Sequence, residues 1–261
     1  MDTILKNAAF VIMIIHSIIN AYTFSPSVAA MSPGGYNSSF LYTIANPEER
    51  AIPVEITIHE FKKDIYGKSI TGNEDYEDFI VFPAQFILKK NEMKMVQVRW
   101  IGDPGIQIEK TYTVRCRELE IPLEKKEPNT IKISVSVNVL IGYDARLYVT
   151  PSKGEPEIVI DSIKTSTDEN GKNEIIITCL NKGNVHGKLR GYSFIIRPGS
   201  DKKQFPEFEP IILDRYAVPG MAEAILAKSS RKFIIPWPEK LPQGQINIEL
   251  VKNVENVKYI K

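Results

Sequence analysis

The chain of 261 residues carries 33 Lys and Arg against 32 Asp and Glu, so its formal net charge at neutral pH is only +1. This balance excludes a strong overall field that would attract nucleic acid or an acidic substrate. Because one domain usually takes about 100 to 200 residues, the length suits one large domain or two ordinary ones.

The first residues have the pattern of an export signal. Residues 8–19 are apolar except for His16 and Ser17, and this run is shorter than the ~20 residues that a membrane-spanning helix needs. We interpret residues 1–21 as a signal peptide, and an uncleaved N-terminal anchor is the alternative. In both cases the remaining chain is exported, and no later segment of the sequence is apolar enough to span a membrane.

Strand signals dominate the rest of the chain. Runs rich in Val, Ile, Thr, Tyr and Phe are separated by Pro, Gly, Asn and Asp, at the spacing typical of immunoglobulin-like sandwiches. Between two such halves, residues 150–157 contain Pro151 and Pro156, neither of which can continue a central strand. We therefore predict an all-β chain of two immunoglobulin-like β-sandwich domains, over residues 22–151 and 152–261.

The cysteine content bears on how these domains are stabilised. Cys116 and Cys179 are the only cysteines, and they lie in strand-like runs of different predicted domains. A dense set of cysteines in an exported chain would indicate a disulfide framework. Two separated cysteines favour buried thiols over a disulfide.

The residues that usually carry enzyme chemistry are sparse. Of three histidines, His16 falls in the predicted signal, His59 in a strand and His186 in a loop, none with a second His or Cys at ligand spacing. The sequence has no nucleophile motif, phosphate-binding glycine loop or dinucleotide fingerprint. We expect a protein that is not an enzyme, with no metal or other cofactor and no small-molecule substrate.

One predicted strand is unusually long. Residues 133–151, ISVSVNVLIGYDARLYVTP, carry apolar side chains at every odd position from Ile133 to Leu147. Any half-buried strand alternates, so filling of the chain's own core is one explanation. The usual strand has only about five or six residues, however, which indicates that part of the stripe extends beyond one small core. An exposed strand edge can add to a partner's sheet, with alternate side chains filling the partner's pockets.

Four successive segments resemble the first domain of the PapD-type periplasmic pilus-assembly chaperones: FLYTIANPEERAIPVEITIHEF, FPAQFILKKNEMKMVQVRW, EKTYTVRCRELEIP and IKISVSVNVLIGYDARLYVTP. The resemblance covers residues 24–151, while the second half matches only loosely. It implies a periplasmic protein with two domains in a boomerang arrangement. It also implies capture of pilus or fimbrial subunits by donor-strand complementation through the long strand 131–149.

The resemblance further implies site residues and partners. The long strand would lend a subunit the side chains of Val135, Val137, Val139 and Ile141. Arg146 matches a basic cleft residue that binds the subunit's C-terminal carboxylate, and a guanidinium can hold a carboxylate through two parallel hydrogen bonds. The implied partners are pilin-like subunits and, for assembly at the outer membrane, an usher. No nucleic acid is implied, and membrane contact is expected only through the signal segment.

The sequence departs from the family pattern in two places. The stretch SPSVAAMSPGG, where the family places a second cleft cation, contains no Lys or Arg. Glu109 matches one partner of an ionic contact between the domains, but Thr150 stands at the usual basic position. An exposed strand charge or an ion pair between domains is the alternative role of Arg146. A structural or adhesive immunoglobulin-like protein of the cell envelope, without chaperone activity, is the alternative function.

Overall fold

The computed structural model describes residues 21–75, 77–121, 140–200 and 204–252. Within these ranges the chain is all-β, as predicted, and the only helical element is a short 3-10 turn at Tyr36–Ser38. The strands form two groups, one on each side of residues 150–157. Each group surrounds its own apolar core, and we call the two units the first and the second sandwich.

The first sandwich has two sheets. Its strands are β1 (Thr23–Ser25), β2 (Val28–Met31), β3 (Ser39–Ala45), β4 (Ile52–Lys63), β5 (Ser69–Glu74), β6 (Phe79–Phe82), β7 (Gln85–Leu88), β8 (Met93–Trp100), β9 (Lys110–Glu118) and β10 (Gly142–Val149). One sheet has the order β1-β3-β8-β6, and the other has the order β2-β10-β9-β4-β5 with β7 also paired to β4. Pro26, which has no backbone N–H to continue a ladder, separates β1 in one sheet from β2 in the other.

Alternation along these strands builds the first core. Tyr42 and Ile44 of β3 and Val96 and Val98 of β8 are buried, whereas their sequence neighbours are more exposed. The facing sheet contributes further buried residues, which are Ile56, Ile58, Tyr112, Val114, Cys116, Ala145, Leu147 and Val149. The core therefore lies between the two sheets, as a half-buried strand pattern requires.

The second sandwich is assembled in the same way. Its strands are β11 (Ile158–Thr167), β12 (Asn173–Asn181), β13 (Gly187–Lys188), β14 (Tyr192–Pro198), β15 (Ile211–Leu213), β16 (Ala224–Ile225), β17 (Ser230–Pro236) and β18 (Ile246–Lys252). They form sheets of order β11-β12-β17 and β15-β14-β18 and a small β13-β16 pair. The core includes Ile175, Ile177, Phe194, Ile196 and Phe233.

The two cysteines are buried thiols in separate cores, as predicted. Cys116 lies on β9 in the first core, and Cys179 lies on β12 in the second. Burial raises the pKa of each thiol to about 12. Neither thiol is therefore a thiolate nucleophile at neutral pH.

Two predictions from the sequence, the signal peptide and the domain limits, stay predictions. The predicted signal falls almost entirely on residues outside the described ranges. The domain limits stay a prediction; the buried residues of the first core run from Tyr22 to Val149, and residues in or against the second run from Ile158 to Leu250. No helix long and apolar enough to cross a bilayer occurs in the described part of the chain.

In each sandwich, one buried asparagine stabilises the loops at one end through side-chain hydrogen bonds to their backbone. Asn181, the last residue of β12, is fully buried, and its Oδ1 accepts hydrogen bonds from the backbone N–H groups of Glu157 and Gly183. Its Nδ2 donates over 2.8 to 3.2 Å to three backbone carbonyls, those of Val185, Ile225 and Leu226. Asn46 does the same after β3, with its Nδ2 donating to the carbonyls of Arg50, Leu88 and Lys89.

The β4–β5 hairpin of the first sandwich rests on β17 of the second. The backbone N–H of Lys232 donates to the carbonyl of Ile65 at 2.6 Å, and Lys63 pairs with Glu223 at 2.7 Å. Gly67, at a φ of 83°, lies so close to Arg231 that an added Cβ would meet its guanidinium at 1.6 Å. Only glycine suits this position, because both the backbone angle and the contact exclude a side chain.

Asn181→Asp should destabilise the second sandwich. The substitution keeps the shape but replaces the amide donor by a carboxylate facing three carbonyls, which costs about 2 to 3 kcal/mol of unfolding free energy. Urea unfolding measures the loss. Asn170→Asp, the same change in an exposed turn, should alter stability by less than about 0.5 kcal/mol, and equal effects of the two changes would contradict this account.

Gly67→Ala should loosen the contact between the sandwiches. Gly171 offers a matched control, because it occupies the equivalent turn of another hairpin at a φ of 78°, with no atom within 4 Å of an added Cβ. Both alanines carry the backbone penalty of about 1 kcal/mol, but only Ala at position 67 displaces Arg231. Amide exchange at Lys232 should accelerate in Gly67→Ala alone. An unchanged rate there would show that the contact does not hold the hairpin.

Candidate functional site

Strand β10 has an incompletely paired edge. Its whole length pairs antiparallel with β9, from Gly142 opposite Arg117 to Val149 opposite Lys110. On its other side it pairs in parallel with β2, but only from Arg146 to Val149. The preceding half of β10, up to Ala145, has no strand partner on that side within the described ranges. Such an edge offers backbone donors and acceptors to an added strand.

The predicted apolar ladder is only partly within the described residues. Val135, Val137 and Val139 lie outside them. Ile141 is half-buried and packs against the first core. The odd positions that follow, Ala145, Leu147 and Val149, are buried in that core, so this part of the stripe serves the chain's own sandwich. The role of the four ladder residues in subunit binding stays a prediction.

Arg146 points to the opposite face of β10 and reaches across the sheet. Its Nη1 donates to Thr113 Oγ1 at 2.7 Å and to the Tyr112 carbonyl at 3.4 Å, both on β9. Its guanidinium stacks on the ring of Phe61, which belongs to β4. The side chain therefore crosses one neighbouring strand and ends above the next.

Arg146 is a half-buried cation that forms no salt bridge in the described part of the chain. Asp144, the acid next to it on the same face, is bound in two places by Arg115, at 2.8 and 2.9 Å. Burial lowers the pKa of the Arg146 guanidinium to about 10, so it remains charged at neutral pH. A buried charge that lacks a counter-ion is stabilised by any anion that can approach it. The guanidinium nitrogen atoms other than Nη1 make no hydrogen bond to the described residues and can bind a carboxylate.

The cation lies where the two sandwiches meet. Phe61 and Tyr148 of the first sandwich form a small buried cluster with Leu226 of the second. The Tyr148 ring also stacks on His186, with 3.9 Å between the ring centres. A cleft of about 450 Å³ opens beside this cluster, lined among others by Phe61, Tyr112 and Leu226. Arg146 thus contacts two of the residues that line a space between the sandwiches.

Glu109 connects the sandwiches through hydrogen bonds rather than through a salt bridge to an Arg or a Lys. It is only 7% exposed. Its Oε1 accepts from the backbone N–H of His186 at 3.0 Å and lies 2.8 Å from His186 Nδ1. Its Oε2 accepts from Thr150 Oγ1 at 2.9 Å. Thr150 and His186 together satisfy the carboxylate, so the absence of a basic residue at position 150 leaves no unpaired acid here.

Sequence reasoning missed several contributors to this site. In the sequence, His186 stands in a loop without a visible partner, because Glu109 lies 77 residues away in the chain. The sequence has no local signal for Phe61 or Thr113 either. Strand alternation alone does not show that Phe61 stacks on Arg146 or that Thr113 accepts its hydrogen bond. Only the strand order β10-β9-β4 brings these side chains together.

No protein-family model and no curated protein matches this sequence. Solved structures do match its fold. A chain of the chaperone–tip adhesin complex involved in CFA/I fimbriae biogenesis has a TM-score of 0.52 at 16% identity, covering 90% of this chain and 99% of that one. The class 5 fimbriae chaperone CfaA has a TM-score of 0.52 at 16% identity, covering 88% and 98%.

A third match is to the CsuC–CsuE complex of a chaperone with a tip adhesion subunit, from the archaic chaperone–usher Csu pili of Acinetobacter baumannii. Its TM-score is 0.50 at 13% identity, and the alignment covers 89% of this chain and 98% of that one. These three solved structures are of fimbrial and pilus chaperones, alone or in complex with a tip subunit. The chain has the fold of the fimbrial and pilus chaperones.

Proposed function

We propose that this chain is a periplasmic chaperone that captures secreted pilus or fimbrial subunits by donor-strand complementation and delivers them for assembly, with an outer-membrane usher as the receiving partner. The observation that carries the proposal is Arg146, a half-buried cation that forms no salt bridge in the described ranges, on a strand with a half-open edge. The fold of fimbrial chaperones, over about nine-tenths of the chain, supports it.

The proposed mechanism has two parts on one strand. The apolar residues Val135, Val137, Val139 and Ile141 fill the groove of a subunit that lacks its own last strand. Burial of these side chains contributes about 25 cal/mol per Å² of apolar surface, and backbone hydrogen bonds along the edge fix the register. Arg146 binds the C-terminal carboxylate of the subunit and thereby fixes the position of the subunit along the strand. Neither part needs a nucleotide or a metal.

Val137→Asp and Val139→Asp should abolish subunit capture, because each places a charge in the apolar groove of the subunit. The measurement is co-purification of a candidate pilin from the periplasm after co-expression. Ser136→Asp is the matched control, since it adds the same charge at an even position, between the apolar odd positions of the sequence, and should retain the subunit. Unchanged capture by both valine variants would show that the strand-addition mechanism is wrong.

Arg146→Ala should reduce the amount of co-purifying subunit by about tenfold or more, which corresponds to the loss of a charge-assisted hydrogen bond. Arg117→Ala is the control, because Arg117 lies on the neighbouring strand of the same sheet, opposite Gly142, but is already paired with Glu55. It should retain the subunit. Equal losses in both variants would assign Arg146 a role in folding instead.

A structural or adhesive envelope protein with the same fold would hold no client. In that case no secreted subunit would co-purify with the unmodified chain. This outcome contradicts the chaperone proposal as a whole, whereas the variants above test its two parts separately.

A further inference from the structure

Arg146 belongs to a row of five paired residues across the outer face of one sheet. It is paired with Val28 of β2 on one side and with Thr113 of β9 on the other, and Thr113 is paired in turn with His59 of β4. Directly paired residues project from the same face of a sheet. The row therefore runs Val28, Arg146, Thr113, His59 and, on β5, Glu74. Val28 comes from the stretch that lacks Lys and Arg, so this side of Arg146 offers no second cation.

The Arg146 side chain leans away from Val28 and towards His59. Its Nη1 donates to Thr113, which lies between them and is only 1% exposed. Its guanidinium rests on Phe61, two residues after His59 on the same strand. The two backbones are about 10 Å apart at ~4.8 Å per strand step, but the guanidinium itself lies over the strand that carries His59.

His59 is oriented by its own neighbour. Its Nε2 lies 2.9 Å from the hydroxyl of Thr57, a residue of the same strand and face that is itself buried. The other ring nitrogen, Nδ1, has no hydrogen-bond partner among the described residues. In a charged imidazole both nitrogens are donors. With Nε2 held by Thr57, Nδ1 is the group left to bind an anion.

Charged groups of both signs surround His59. Glu74 of β5 is its register partner on the side away from Arg146. Asp144 is engaged by Arg115, and Glu60 lies 3.2 Å from Lys62. The pKa of the Asp144 carboxyl is lowered chiefly by its hydrogen bond from Arg115, with smaller contributions from the charges of Arg146 and His59. Both cations therefore lie within electrostatic reach of one carboxylate on this face.

We propose that His59 is the second cation of the Arg146 site, so that the site binds a chain terminus more tightly when the imidazole is charged. This inference rests on the proposed function, in which Arg146 takes the terminal carboxylate of a subunit. An imidazole gains its charge as the pH falls from about 8 to about 5. A terminal carboxylate stays ionised over that range, since its pKa is about 3.5. Binding should accordingly strengthen towards acid pH.

The test uses N-acetyl-alanyl-alanine, a blocked dipeptide with a free carboxylate, and its C-terminal amide as the control ligand. Its affinity for the purified chain is measured by NMR titration at about pH 7.5 and about pH 5.5. We expect binding about fivefold tighter at the lower pH, the effect of one partly exposed ion pair, and no binding of the amide. Arg146→Gln should remove binding at both pH values.

Two substitutions separate the charge of His59 from a structural role. His59→Gln should bind the dipeptide weakly and equally at both pH values, while His59→Lys, which is charged throughout, should bind it equally and more tightly at both.

Persistence of the pH dependence in His59→Gln would overturn the inference, and so would equal affinity of the unmodified chain at the two pH values. These outcomes are distinct from failure of the proposed function. Loss of subunit capture, with pH-dependent dipeptide binding retained, would contradict the strand-addition mechanism and leave the role of His59 standing.

Discussion

The alternation of strand β10 is the constraint on which the site depends. Its odd positions, Ala145, Leu147 and Val149, are buried in the first core and fix the strand in the sheet. Its even positions then face outwards, and Arg146 and Tyr148 are directed to the junction with the second sandwich. A shift of one residue would exchange the two sets, exposing the core residues and burying the charge. The same packing that stabilises the first sandwich therefore positions the cation.

Partial burial of the charged Arg146 guanidinium costs free energy, and its contacts within the chain compensate for only part of this cost. Thr113 accepts one hydrogen bond and Phe61 covers one face of the guanidinium, but in the described part of the chain no carboxylate forms a salt bridge with it, since the nearby Asp144 is bound by Arg115. By contrast, Glu109, the buried acid nearby, is satisfied by Thr150 and His186. The junction thus contains one completed polar contact that joins the sandwiches and one incomplete contact that is suited to a ligand.

Much of the fold could be predicted from the sequence because it depends on local pattern. Strand alternation and prolines gave the all-β class, and the isolation of Cys116 and Cys179 in strand-like runs gave two buried thiols. The site was predicted less completely. Arg146 was identified by resemblance, but its stacking on Phe61 and the bond from His186 to Glu109 depend on strand order and on contact between the sandwiches. No spacing along the chain encodes either.

The central claim is that a client subunit adds a strand along the edge that leads into β10. Amide hydrogen exchange of the chain, alone and bound to a co-purified secreted subunit, tests this claim most directly. The account predicts that the amides of residues 133–145 gain protection in the complex, whereas those of β12 and β17 in the second sandwich exchange as before. Unchanged exchange over residues 133–145 in a stable complex would contradict it.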